Sequence, residues 1–457
     1  VSFISPAATE WIDDRLPFFT DDDRPPTPAR GSPVTTTDRI DGDDGDRDGD
    51  EIPDADRVAE LGDLAADLVA IPTENPPGGE SPAAGFVHEW FLETGIDAEL
   101  IAEPDPDRLQ VGARVGPADP AGDTVVLNGH LDVVPADDPD AWSVDPYGGI
   151  VENGRLYGRG SADMKTGLAL AMLVARDLAP AIRDGDRSGA IVVHAAMGEE
   201  TADPGTRTLL ERGYDGDVGI VLEPTNFRVA TSTKGLAVYR VTIHGEASHA
   251  SQPDAGVNAI DGARAVLEAI DDYDADLRSR DDSLCGGAFA TATEMEAGTG
   301  SNLAVIPDRA TLVLDRRVLP GEDVAAVDAE VEALLDAVDV PGATVEATRI
   351  QTYASSEIPV DHPIATALRD RSIDAVGATG ERAPDGDVAA AGPDLAAPWG
   401  MEAATDARNF VNDAGIPAVT WGPGDLDQAH TVDESIALAD AAIARDVLEA
   451  VVDDWIA

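Results

Sequence analysis

An α/β fold is predicted for this chain: a mixed, largely parallel sheet flanked by helices, interrupted by an inserted α+β unit. Three observations predict it. The short apolar runs TVVLNGH, AIVVHAAM, VGIVLEP and IPAVTWGPG alternate with helical stretches such as 166–179 and 435–452, the pattern of parallel strands joined by crossover helices. Residues 233–347 depart from that pattern with LAVYRVTIHG, GVNAIDGARAVLEAIDD, ATLVLDRRVL and VAAVDAEVEALLDAV, which read as strand, helix, strand, helix and so as a separate α+β unit. A length of 457 residues with 43% apolar content is enough to fill more than one core.

Residues 1–56 are rich in Asp, Pro, Thr and Gly without a sustained period and are expected to form a flexible acidic tail. Within it, DGDDGDRDGDEIPDAD resembles the aspartate-rich calcium loops of thrombospondin type 3 repeats, with Asp46, Asp48, Asp50 and Asp54 as hard oxygen donors. Glu51 stands where those repeats have glycine, and Ala55 where an EF-hand loop has its bidentate glutamate. A solvated linker is therefore favoured over a calcium loop. Val58, Leu61, Leu64, Ala65 and Leu68 recur at helical spacing before PTENPPGG breaks the helix. They open the larger domain, whose first part is 57–232 and whose second part, 348–457, follows the insert at 233–347. No repeat of solenoid length occurs.

Eighty-nine Asp and Glu against 31 Lys and Arg give a formal net charge of -58, and only Lys165 and Lys234 are lysines. Such self-repulsion is tolerable where salt is concentrated, since the Debye length falls to about 3 Å at 1 M. The charge is spread along the chain, which fits a halophile with a salt-filled cytoplasm better than a single acidic docking face. Nucleic acid is not expected as a partner, because phosphate contacts need basic patches. Cys285 is the one cysteine, which excludes an intramolecular disulfide and a thiolate cluster. The opening VSFISPAATEW lacks the basic region and apolar core of a secretory signal. TGLALAMLVA is far shorter than the roughly 20 residues of a membrane span. A cytoplasmic protein without membrane association is expected.

The chemistry lies at the ends of the predicted strands. In NGHLDVVP, His130 and Asp132 share one side of an extended chain. GRGSADMKTG puts Asp163 in a turn before a helix, GEE follows a strand with Glu199 and Glu200, Glu223 ends VGIVLEP, and His430 lies in GPGDLDQAHTVDES. Each carboxylate alone is better explained as a cap or a surface acid; five strand ends each delivering His, Asp or Glu are much harder to dismiss.

GHLDVVP, GRGSADMKTG, GEE, EP and AHTVDE, in this order and spacing, resemble the M20 family of metallohydrolases, from about residue 58 to the end of the chain. The resemblance implies a zinc-hydrolase catalytic domain carrying an inserted lid and dimerisation domain. It implies two divalent metal ions, zinc before cobalt or manganese, with Asp163 bridging, His130 and Glu223 completing one site, and Glu200 and His430 the other. Asp132 would orient His130 from behind. Glu199 would be the general base that takes a proton from water and returns it to the departing amine.

The same resemblance assigns His249, in EASHASQPDAGVNAI, to a lid position that reaches into the neighbouring subunit's active site and stabilises the oxyanion, which implies a homodimer. Asn302 matches the lid asparagine, Arg317 the basic residue of the lid strand, and Arg408, in TDARNF beside Asp406, a substrate-carboxylate loop. Alternation puts Asp315 and Arg317 on one strand face, with Leu312, Leu314 and Arg316 on the other. Ala403 and Ala404 replace the glycines usual before that loop. His88, His194, His244 and His362 have no such match and are expected to be structural.

The expected activity is metal-dependent removal of a succinyl- or acetyl-type acyl group from an amino acid, with TDxR leaning to the desuccinylase and aminoacylase branches. The expected substrate is accordingly a small N-acyl amino acid or a short peptide. A dipeptidase or carboxypeptidase with the same site is the alternative, and a catalytically silent metal-binding protein on this fold the second. No GxSxG elbow or GxxxxGK loop is present.

Overall fold

The computed structural model describes residues 54–298, 302–377 and 394–457. Asp46, Asp48, Asp50 and Glu51 of the candidate calcium loop lie outside them.

The larger core is built on a sheet of nine strands among the described residues. Its centre runs 190–196, 124–130, 218–221, 418–420, and these four strands are mutually parallel. Antiparallel strands extend both flanks, so the sheet is mixed with a parallel heart. Thr124–His130 and Ala190–Ala196 are buried along their whole length, as strands covered on both faces must be.

The predicted first helix spans Ala55–Val69, with the Asp54 carboxylate accepting from Asp56 N and Leu61, Leu64, Ala65 and Leu68 buried. The helix expected at 166–179 runs over Thr166–Arg183, continuing through Pro180. The one expected at 435–452 is shifted to Leu438–Trp455, because Ser435–Ala437 pairs as a strand with Arg155–Tyr157. These three helices pack together over the parallel strands.

A second core lies beneath an antiparallel sheet ordered 289–297, 309–318, 235–244, 344–353. The helices Ala259–Leu277 and Val324–Asp336 cover one face. Along Arg309–Val318, Ala310, Leu312, Leu314, Arg316 and Val318 are buried, while Thr311, Val313, Asp315 and Arg317 take the other face. The sequence shows two of these four strands. The other two are edge strands, and the last continues to Tyr353, past residue 347.

Among the described residues no helix is long and apolar enough to cross a membrane.

Candidate active site

The parallel strands end on one side of the sheet, and that is where the candidate ligands meet. His130 is the last residue of its strand. Glu199 and Glu200 follow Ala190–Ala196 across a turn at Gly198, where φ is 75° and a Cβ would meet Asp203 Cβ at 2.4 Å, so only glycine suits. Glu223 follows Val218–Val221, and His430 lies in the loop after 418–420 with φ 61°.

Asp163 stands between the two histidines. Its Oδ1 lies 3.2 Å from His130 Nε2 and its Oδ2 3.4 Å from His430 Nε2. Glu223 Oε1 is 3.7 Å from His130 Nε2, and Glu200 Oε2 is 3.2 Å from His430 Nε2. One ligand atom each from His130, Asp163 and Glu200 lie within 4.8 Å of one another. The remaining oxygen of Glu200, Oε1, is buried with no hydrogen-bond partner.

This donor set fits divalent cations. Imidazole nitrogen and carboxylate oxygen are the ligands borderline metals accept, and an orphaned buried carboxylate oxygen calls for a positive charge. The electrostatics agree. Burial and then the nearby Asp163 charge push Glu223 well above the carboxylate range and raise Glu200. Hydrogen bonds to Asp163 and Glu200 lift His430 to about 11. At His130 burial is outweighed by Asp163, Glu223 and Asp132, and at Asp163 burial is outweighed by the two histidines. Four carboxylates compete here for two imidazoles, an imbalance that bound cations would relieve.

Asp132 occupies a different place from the one expected. His130 Nδ1 meets the main-chain carbonyl of Asp132 at 2.8 Å, while the carboxylate Oδ1 is 3.7 Å away. That carboxylate accepts instead from the N–H groups of Glu199 and Glu200, each at 3.1 Å, and from Asn75 Nδ2 at 2.9 Å. Asp132 thus orients His130 through its backbone and fixes the GEE turn through its side chain.

Glu199 is buried, and burial pushes it up to about 8 against the pull of Arg408. Arg408 Nη1 donates to Glu199 Oε1 at 3.3 Å, Nη2 lies 3.2 Å from Asp406 Oδ1, and the guanidinium lies 4.1 Å from the Tyr353 ring centroid. The Tyr353 hydroxyl donates to the Glu199 carbonyl at 2.6 Å.

A cavity of about 370 Å³ opens over these groups, lined by Asp163, Glu199, Glu200, Glu223 and His430 and walled by Leu236, Val238, Asp315, Arg317, Gln351, Tyr353 and Met401. Arg317 Nε and Nη2 donate to Asp315 at 3.0 and 3.2 Å. Five expected residues do not line this cavity, and two of them, His130 and Asp132, are fully buried behind it. Arg408 lies beneath its floor. His249 is exposed at the end of the short strand Ser248–His249, where Ser251 N donates to its Nδ1 at 3.1 Å, which leaves the ring proton on Nε2. Asn302 is exposed, with its Oδ1 accepting from Ala304 N at 3.1 Å.

Asn75 and Tyr353 were not singled out from the sequence. Asn75 sits inside the helix-breaking PTENPPGG, where nothing distinguishes it from a turn residue. Tyr353 ends a half-exposed edge strand.

The sequence model of peptidase family M20/M25/M40 matches residues 126–454. A Staphylococcus aureus protein called probable succinyl-diaminopimelate desuccinylase is 27% identical over 401 residues, covering 82% of this chain and 92% of its own. The structure of an M20 metallo-carboxypeptidase from Sulfolobus solfataricus superposes with a TM-score of 0.67 at 17% identity, over 86% of this chain and 98% of its own. A Bacillus subtilis protein described as a dinuclear metal-binding peptidase of family M20 does so with a TM-score of 0.56, also at 17% identity, over 88% and 100%. At that identity the two structural matches speak to fold alone.

Proposed function

The chain belongs to peptidase family M20/M25/M40, a family of amide-bond hydrolases, and we propose that the bond it cuts joins a small acyl group to the nitrogen of an amino acid. The observation that carries this reading is Asp163 presenting one oxygen to each of two histidines beside a buried Glu199. His130, Glu223, Asp163, Glu200 and His430 would hold two divalent ions, with zinc preferred over cobalt or manganese. Such ions, when bound, supply Lewis-acid polarisation of the amide carbonyl and acidify water.

The protein's own groups do the rest. Glu199 takes the proton from water and delivers it to the leaving nitrogen, a task suited to a carboxyl raised by burial towards neutral pH. Asp132 holds the turn that carries Glu199. Arg317, a guanidinium on the cavity wall, meets the substrate carboxylate. His249 lies outside the cavity of its own chain with its Nε2 proton free of the Ser251 contact; in a homodimer it would serve the neighbouring site as oxyanion donor, with Asn302 beside it on the lid. Residues 233–347 would then act as lid and dimerisation unit. The charge of -58 supports a halophilic, cytoplasmic setting.

The resemblance to a protein named as a desuccinylase favours an N-acyl amino acid over a peptide. The second reading, a dipeptidase or carboxypeptidase, is favoured by the fold shared with solved peptidases. Primary-amine release in molar KCl with added zinc or cobalt, from N-succinyl amino acids, N-acetyl amino acids and dipeptides, separates the two. Preferential turnover of an N-acyl class supports deacylation; turnover of dipeptides alone replaces it with the peptidase, and turnover of neither class removes both.

A further inference from the structure

Glu434 lies four residues after His430, and its side chain has no solvent exposure. Its Oε1 accepts from Ala162 N at 2.8 Å and Asp163 N at 3.1 Å. Its Oε2 accepts from Gly160 N at 3.1 Å and from Arg159 Nη1 at 2.6 Å. Three main-chain N–H groups of one turn therefore converge on a single buried anion, a nest closed by a charge-assisted bond.

The turn cannot supply these partners itself. Gly160 has φ 87°, and a Cβ there would meet Val133 Cγ1 at 2.6 Å, so the turn takes a left-handed step that directs its amides to Glu434. Without the carboxylate, buried donors would lose their acceptor. The two segments are also clamped beside this contact, since Gly158 N donates to the Glu434 carbonyl at 2.9 Å and Ser435–Ala437 pairs with Arg155–Tyr157.

The last amide in the nest belongs to Asp163, whose two oxygens must face His130 and His430 together. We propose that Glu434 is a positioning residue for the metal centre: it fixes the backbone of Asp163 so that its carboxylate is aimed between His130 and His430 before any ion arrives, and it ties that turn to the segment bearing His430. The inference rests on the reading of these residues as metal ligands. It places part of the metal affinity in a carboxylate that touches no metal.

The test is zinc chloride titrated into metal-free protein against a chromophoric chelator, in molar KCl to screen surface carboxylates, at a temperature where circular dichroism shows each protein folded. Glu434→Gln keeps the shape but puts an amide NH2 among N–H donors. The expected result is a loss of zinc affinity of about 10–100-fold, the usual effect of removing a group that orients a ligand, and an altered d–d spectrum with cobalt chloride. Should that variant fail to fold, Glu434→Asp, which keeps the charge but falls one methylene short, is held to the same criterion. Wild-type zinc affinity in the folded variant overturns the inference whatever its melting temperature, since a purely structural glutamate would lower stability and leave affinity alone. A wild-type protein that takes up no zinc overturns the metal reading and this inference with it.

Discussion

One guanidinium beneath the floor of the site touches two carboxylates and an aromatic ring. Arg408 bonds to Glu199 and Asp406 and stacks on Tyr353, so its first effect is on the position and charge of Glu199. The sequence presents it as a clamp for a substrate carboxylate, because TDARNF shows the residue type but not where it points. Arg408→Met is expected to lower kcat by about 10²-fold, the lower end of what a general base contributes, with little change in KM. Steady-state kinetics decide: a raised KM with unchanged kcat would return Arg408 to substrate binding. His130, Glu199, Glu200 and Glu223 were legible for a local reason, since each closely follows an apolar run, whereas Asp163 and His430 lie in glycine-rich turns that only their motifs single out. Asn75, Tyr353 and Glu434 act across gaps in the chain that no spacing rule spans.

At the scale of elements, the helix Thr166–Arg183 must come close to the end of the strand Val218–Val221 for Asp163 and Glu223 to share a site. Gly167 permits it: a Cβ there would lie 2.1 Å from the carbonyl oxygen of Leu222. Gly167→Ala is expected to cost about 1–3 kcal/mol through overpacking, measured by urea unfolding; unchanged stability would show that the helix can move away freely. His194 links neighbouring strands, meeting Asn128 at 3.3 Å and the Tyr214 carbonyl at 2.6 Å. Burial lowers it from 6.5 to about 4. The unfolded chain therefore takes up this proton first, and stability falls as pH drops from about 6.5 towards 4, by about 3 kcal/mol in all. His194→Gln should flatten that part of the acid limb in unfolding curves at stepped pH, and an unchanged slope would contradict the assignment. The parallel strands were plain in the sequence because burial on both faces makes them continuous apolar runs. Phe289–Ala297 and Thr344–Tyr353 were not, because edge strands with one half-wet face read as polar loops.

For the whole molecule, charge is the dominant trait. Both lysines are buried, each 1% exposed, so the exposed cations that answer the acidic surface are arginines. Arg57, Arg176, Arg187 and Arg212 each pair with two acids or with both oxygens of one, and pairs this open to solvent each contribute little. Self-repulsion at -58 is not offset by them. The melting temperature is expected to rise steadily as KCl goes from about 0.1 M to several molar, by differential scanning calorimetry; a flat profile would remove the halophilic reading. The net charge is read from composition without any structure, whereas the placement of residues 233–347 relative to the cavity depends on packing that composition does not encode.

The proposed chemistry needs two ions held by five side chains. The most direct measurement is the amount of zinc bound per chain at which N-acyl amino-acid hydrolysis saturates, followed by titrating metal-free protein in molar KCl and assaying each point. Activity absent without metal and complete at two zinc per chain is the predicted result. Full activity in the metal-free protein, or saturation with no zinc bound to wild type, would contradict it.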